Sequence, residues 1–191
     1  QKEIYNFVNI VRKNSSEREI DNYLKQNLSL LAFSSKFFGT GHHGAWIIPQ
    51  AKIKPPGFPN GKGLIPDYLI AGDNSDGVTW WVVELKSPKD NLYKKNKQGI
   101  VTETKKLSEG LTKLQNYIEF CTKHQTYIRD TLGVTSFTTP YGILFIGREQ
   151  ELVEDKEKRN KKSYYNKDSY SIQIRTYDAF LRRFRHIMKM S

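Results

Sequence analysis

Apolar residues recur every three or four positions at the start of the chain, at Ile4, Tyr5, Phe7, Val8, Ile10 and Val11. That is the spacing of a helix with one buried face. A polar break, Arg12-Lys13-Asn14-Ser15-Ser16, follows, so residues 1–16 read as an N-terminal helical arm or linker. Ser15 or Ser16 caps a new helix, because a hydroxyl there accepts a free backbone N–H. This helix is predicted from Glu17 to about Phe33, with Ile20, Leu24, Leu28 and Leu31 on one face. At ~100° per residue, Glu17 falls near the middle of that stripe and Glu19 roughly opposite it.

The period then changes. After a loop-rich stretch with Gly39, Gly41, His42, His43 and Gly44, an apolar strand is predicted around Trp46-Ile47-Ile48. Pro55 to Gly61 is turn or loop by its proline and glycine content. Leu64–Ile70 reads as a second strand, Gly72–Gly77 as a hairpin-type turn, and Thr79–Lys86 as a third, central strand ended by Ser87-Pro88. A long helix is predicted from about Thr102 to Arg129 on the recurrence of Leu107, Leu111, Leu114, Ile118 and Cys121. Gly142–Ile146 is a fourth strand, Glu149–Asp168 a charged loop or short helix, Ser171–Arg175 a fifth strand, and Asp178–Met190 a closing helix. The order predicts an α/β sandwich with a mixed sheet, residues 17–191 forming one domain.

Composition narrows the function class. A chain of 191 residues has room for one sizeable core. Its single cysteine, Cys121, excludes a disulfide framework and a thiolate zinc site. No run of 18 apolar residues and no charged-then-apolar leader is present, so a cytoplasmic protein without membrane attachment is expected. The chain begins at Gln1, which fits a piece of something longer. Lysine and arginine total 31 against 20 acids, a formal charge of +11, the balance expected of a phosphate-backbone binder. Candidate contacts to nucleic acid are Lys94, Lys95, Lys97 and Arg148, with further basic runs at Lys105-Lys106 and Lys156 to Lys162.

The chemistry concentrates in Pro66-Asp67 and Val83-Glu84-Leu85-Lys86. Side chains two apart on a strand share a face, so Glu84 and Lys86 point together. Pairing the second and third strands through the Gly72–Gly77 turn brings Asp67 beside Glu84. Two such carboxylates repel unless a hard cation lies between them, and Mg²⁺ takes one or two carboxylates plus waters and a phosphate. Mn²⁺ is expected to substitute. Lys86 would then orient a water or stabilise phosphoryl charge. Glu-x-Lys alone is common on solvent-facing strands; the preceding Pro-Asp strand and hairpin-length gap make the difference. Glu17 is a candidate third metal ligand, its other role being to cap its own helix. Gln115 is a candidate to reach over the site, its bland role a helix-surface glutamine. His42 and His43 cannot both face one site from a strand, and His124 and His186 lie in other contexts.

These residues resemble the PD-(D/E)xK nuclease superfamily and, within it, the C-terminal domain of Shedu anti-phage defence proteins. The resemblance rests on Ser16-Glu17-Arg18-Glu19-Ile20 with Tyr23, Leu24 and Asn27, on Ile65-Pro66-Asp67-Tyr68-Leu69, and on Val83 to Pro88. Phe145-Ile146-Gly147-Arg148 and Thr176-Tyr177-Asp178-Ala179-Phe180-Leu181 carry it to the chain's end, although Thr176–Asp178 also reads as a plain helix start. One departure is visible. The family's long helix carries a glutamine with an aromatic four residues on, whereas Gln115 is followed there by Glu119. The resemblance implies a restriction-endonuclease-like core, a mixed central sheet flanked by helices. It implies a Mg²⁺-dependent deoxyribonuclease acting on phage DNA, with Asp67, Glu84 and Lys86 catalytic, and a homo-oligomer, tetrameric in related proteins. The alternatives are an idle nuclease-fold module that binds or senses DNA, and a restriction or repair nuclease of the same superfamily.

Overall fold

The computed structural model describes residues 2–32, 44–53 and 64–190; His42, His43 and the Pro55–Gly61 segment lie outside them. Helix α1 (Lys2–Arg12) buries Ile4, Phe7 and Val11. Helix α2 (Glu17–Gln26) starts at a capping box: Ser16 Oγ accepts from the Glu19 N–H while the Glu19 carboxylate accepts from the Ser16 N–H. The predicted single helix to Phe33 is broken. Asn27 ends α2, its side-chain amide donating to the Tyr23 carbonyl at 2.9 Å, and α3 (Ser29–Ala32) buries Leu30 and Leu31.

Strands β1 (Gly44–Pro49), β2 (Tyr68–Asn74) and β3 (Gly77–Leu85) form an antiparallel meander. The second strand therefore begins four residues later than Leu64, which makes only an isolated bridge to Ile53. A short hairpin follows, β4 (Tyr93–Lys95) and β5 (Val101–Glu103), that the periodicity did not predict. The predicted helix Thr102–Arg129 divides at His124 into α4 (Lys105–Lys123) and α5 (Gln125–Leu132). Strand β6 (Tyr141–Phe145) leads to α6 (Gln150–Glu154) and α7 (Lys156–Asp168), where a charged loop or one short helix was expected. Strand β7 (Ile172–Arg175) and α8 (Tyr177–Met190) complete the chain.

The five-stranded sheet has the order β1-β2-β3-β6-β7, with β3, β6 and β7 parallel. It is a mixed sheet, and β3 is its centre. Along β3, Trp80 and Val82 pack with Leu107, Leu111 and Leu114 of α4. Trp81, Val83 and Leu85 pack on the opposite face with Phe7, Ile20 and Phe180. Burial on both faces is why this strand reads as a nearly continuous apolar run. The same alternation turns Glu84 toward α4.

Gly147, just past β6, is held at φ 63, and a Cβ there would lie 2.5 Å from the Asp90 carbonyl. Its N–H donates to the Ser87 carbonyl at 3.1 Å, tying β6 to the end of β3. Gly147→Ala is expected to lower stability by about 2–4 kcal/mol, from left-handed strain plus overpacking. Urea unfolding should show a lower midpoint with an unchanged slope.

Candidate active site

The hairpin register sets the site. Tyr68 pairs with Val83, so one step beyond the ladder Asp67 stands opposite Glu84. The Leu85 N–H donates to Asp67 Oδ2 at 2.7 Å, fixing that carboxyl against the end of β3. Tyr117 on α4 donates its hydroxyl to the Ile65 carbonyl at 2.9 Å and so holds the segment entering Pro66-Asp67. Burial, then the Glu84 and Asp67 charges, push that phenol up to about 12.

Glu84 is 1% exposed and Lys86 4%. Lys86 Nζ donates to Glu84 Oε1 at 2.6 Å and to the Leu85 carbonyl at 3.0 Å. Burial pulls the Lys86 ammonium down, but the charge and hydrogen bond of Glu84, with Glu17 behind, raise it on balance. Lys113 Nζ reaches down from α4 to the same Glu84 oxygen at 2.8 Å. The other oxygen, Oε2, is buried without a hydrogen-bond partner. Two clips hold this arrangement. The Tyr177 hydroxyl donates to the Lys86 carbonyl at 2.6 Å, and Ser87 Oγ donates to the Ser15 carbonyl at 2.7 Å, fastening β3 to the start of α2.

Glu17 lies at the mouth. Its side chain is 42% exposed and its carboxylate is 3.5 Å from Lys86 Nζ. It is partly buried and turned inward, whereas Glu19 is exposed, and it joins the rim of a cleft of about 450 Å³ lined also by Lys86, Lys106, Glu109, Thr112 and Lys113. Among the described residues no three of His, Cys, Asp and Glu form a group that could hold a metal. Glu17, expected as the third ligand with Asp67 and Glu84, meets Lys86 Nζ at 3.5 Å. Two carboxylates do come together. Their fit to a hard cation rests on the orphaned Glu84 Oε2 and on the adjacent Asp67, a donor set of the size Mg²⁺ takes.

Gln115 is exposed on α4 and is not one of the helix residues turned to the site. Those are Lys113 and Tyr117, which also carry the spacing of a polar residue with an aromatic four positions on. Of the expected nucleic-acid contacts, Lys94 and Lys97 are exposed. Lys95 is engaged with Asp155 at 3.0 Å and Glu157 at 3.2 Å. The Arg148 guanidinium donates twice to Asp178, at 3.0 and 2.8 Å, joining the end of β6 to the first turn of α8.

Burial, then the Glu84 charge, raise the Asp67 carboxyl from its ordinary 3.8 to about 7. In that window the folded chain binds a proton that the unfolded chain has released, so folding stability falls as pH rises from about 4 to about 7. Denaturant unfolding of the metal-free protein across that range is expected to show the decline, and Asp67→Asn to flatten it.

No curated protein matches the chain. A family model, described as Shedu protein SduA, C-terminal, matches residues 14–181. That span takes in Glu17, Asp67, Glu84, Lys86 and Lys113, the whole constellation at the end of β3. The chain belongs to the Shedu SduA C-terminal family.

Proposed function

We propose that this domain is a PD-(D/E)xK-type, Mg²⁺-dependent deoxyribonuclease that hydrolyses phosphodiester bonds of phage DNA. Family membership implies involvement in Shedu defence. The observation that carries the nuclease reading is the Asp67–Glu84 pair across the β2–β3 register, with an unpartnered Glu84 oxygen and Lys86 on the same strand end. A pure binding module has little use for two apposed carboxylates beside lysines meant for phosphate. Among the described residues no helix is long and apolar enough to cross a membrane. Assembly as a homo-oligomer belongs to the same proposal, from the family resemblance.

Asp67 and Glu84 are the residues that would hold the ion, with Mn²⁺ able to substitute. Bound there, the ion supplies Lewis acidity toward a phosphoryl oxygen and lowers the pKa of a water. The chain's own residues do the rest. Asp67 is oriented by the Leu85 N–H, so its second oxygen is available for ligation. Lys86 and Lys113, both on Glu84 Oε1, are the donors that would turn to substrate once the charge of Glu84 were shared. Lys86 is nearly buried and anchored at both ends of its residue, which suits it to charge developing on a phosphoryl oxygen. Lys113 and Lys106 line the cleft wall, where they would meet the strand's phosphates. Glu17 limits the swing of Lys86.

Plasmid nicking in Mg²⁺, against a chelator control, tests the reading. Lys86→Ala is expected to lower turnover roughly 10²–10³-fold or more, with the fold retained because Lys113 still neutralises Glu84. Glu17→Gln should lose less, and Gln115→Ala should stay near wild type. Wild-type turnover in Lys86→Ala would rule out the mechanism.

A further inference from the structure

A second cluster of cations stands away from the carboxylates, where β7 meets α7 and α8. Strands β3, β6 and β7 are parallel, and Leu85, Phe145 and Arg175 lie in one register row. Arg175 therefore sits level with the end of β3, two strands over, at the sheet's edge. Its Nη2 donates to Gln173 Oε1 at 2.6 Å, but its buried Nε has no hydrogen-bond partner. A buried donor left without an acceptor is destabilising, and in a native protein it marks a place where an acceptor is missing.

Next to it, on α7, is Lys162. Burial, and then the positive charge of Arg175, push its ammonium down to about 8; Arg182 adds to this, and Glu149 opposes it. Glu149 cannot serve as the missing anion, because its carboxylate is already paired with the Arg182 guanidinium. Lys162 lines a cleft of about 450 Å³ together with Arg159, Lys167, the buried Leu152 and the exposed Val153. This is the size of a small-ligand site. Glu149 is the one acid lining it among the described residues. Asn166, also in the wall, is committed to β7: its amide donates to the Ile174 carbonyl at 3.0 Å and its oxygen accepts from the Ile174 N–H at 2.8 Å. The cleft wall is thereby fixed to the strand that carries Arg175.

We propose that this cleft is a binding site for a phosphate group, borne by a nucleotide or a polynucleotide, with Lys162 as its principal donor and Arg159 and Lys167 beside it. A phosphate has the acceptor oxygens that an ammonium and a planar guanidinium need, and the charge that their proximity lacks. Leu152 and Val153 offer apolar surface to the organic part of such a ligand. This site is independent of the nuclease reading: it shares no residue with the Asp67–Glu84 centre and needs no metal.

The test uses the full chain in metal-free buffer at low salt. Melting and calorimetric titration are run with inorganic phosphate, pyrophosphate, a mononucleotide and a short DNA duplex, on wild type, Lys162→Gln and Arg159→Gln. Lys162→Gln removes a like charge from the cluster, so its unliganded melting temperature should equal or exceed that of wild type. Pyrophosphate should stabilise wild type, and Lys162→Gln should weaken its binding about tenfold or more. Arg159→Gln, at the exposed rim, should weaken it less. Binding of the mononucleotide in competition with pyrophosphate identifies a free nucleotide as the ligand. Binding of the duplex alone, weakened by the same substitution, identifies a backbone phosphate. Failure of all four probes to bind wild type, or equal binding by wild type and Lys162→Gln, overturns the proposal.

Discussion

A carboxylate at the centre of a sheet governs this fold. Glu84 lies on the middle strand and is nearly sealed from water, a position in which an unneutralised charge costs several kcal/mol. Lys86, two residues on, and Lys113, from the covering helix, both bind the same oxygen. That requirement fixes how α4 lies across β3 and why a half-exposed lysine is drawn inward. It also explains the bracing around the strand end. Tyr177 holds the Lys86 carbonyl, Ser87 grips the start of α2, and Tyr117 secures the segment that delivers Asp67. One Glu84 oxygen remains without a hydrogen-bond partner, and Asp67 is held beside it.

Much of this was legible in the residue pattern. Period-two alternation on both sides of a Gly/Asp/Asn turn determines which side chains of β2 and β3 face each other, and a slip of one residue would send Asp67 to the wrong face. The observed register keeps Asp67 and Glu84 together. Lys113 was missed for a geometric reason. At ~100° per residue, Gln115 lies about 80° to one side of the Leu107–Leu111–Leu114 stripe and Lys113 about 120° to the other. Periodicity does not say which shoulder overhangs the sheet. The signal was the neighbouring pair Gly110 and Tyr117, which are buried on the Lys113 side. The helix breaks at Asn27 and His124 were hidden likewise, because the apolar stripe resumes in the next helix with Leu30, Leu31 and Ile128.

Charge was the least transferable cue. A surplus of basic residues fits a phosphate binder, yet much of it is engaged within the chain. Arg148 secures Asp178, Lys95 meets the first turn of α7, and Lys158 pairs with Glu151 at 3.0 Å. The first two join segments 30 and 60 residues apart in sequence, so no local motif announces them. Around Lys162 the cations share a single lining acid among the described residues, Glu149, and that acid is taken by Arg182. Helix α7 illustrates the contrast: it buries no residue fully, and its order rests on polar ties to β5, β7 and α6.

The central claim is that Asp67 and Glu84 share a divalent cation. Anomalous diffraction from crystals grown in saturating Mn²⁺ tests it most directly. One strong peak within bonding distance of both carboxylates is the expected result, with Lys113 drawn off Glu84. An absence of any peak there, with both lysines still closed on Glu84, would contradict the account.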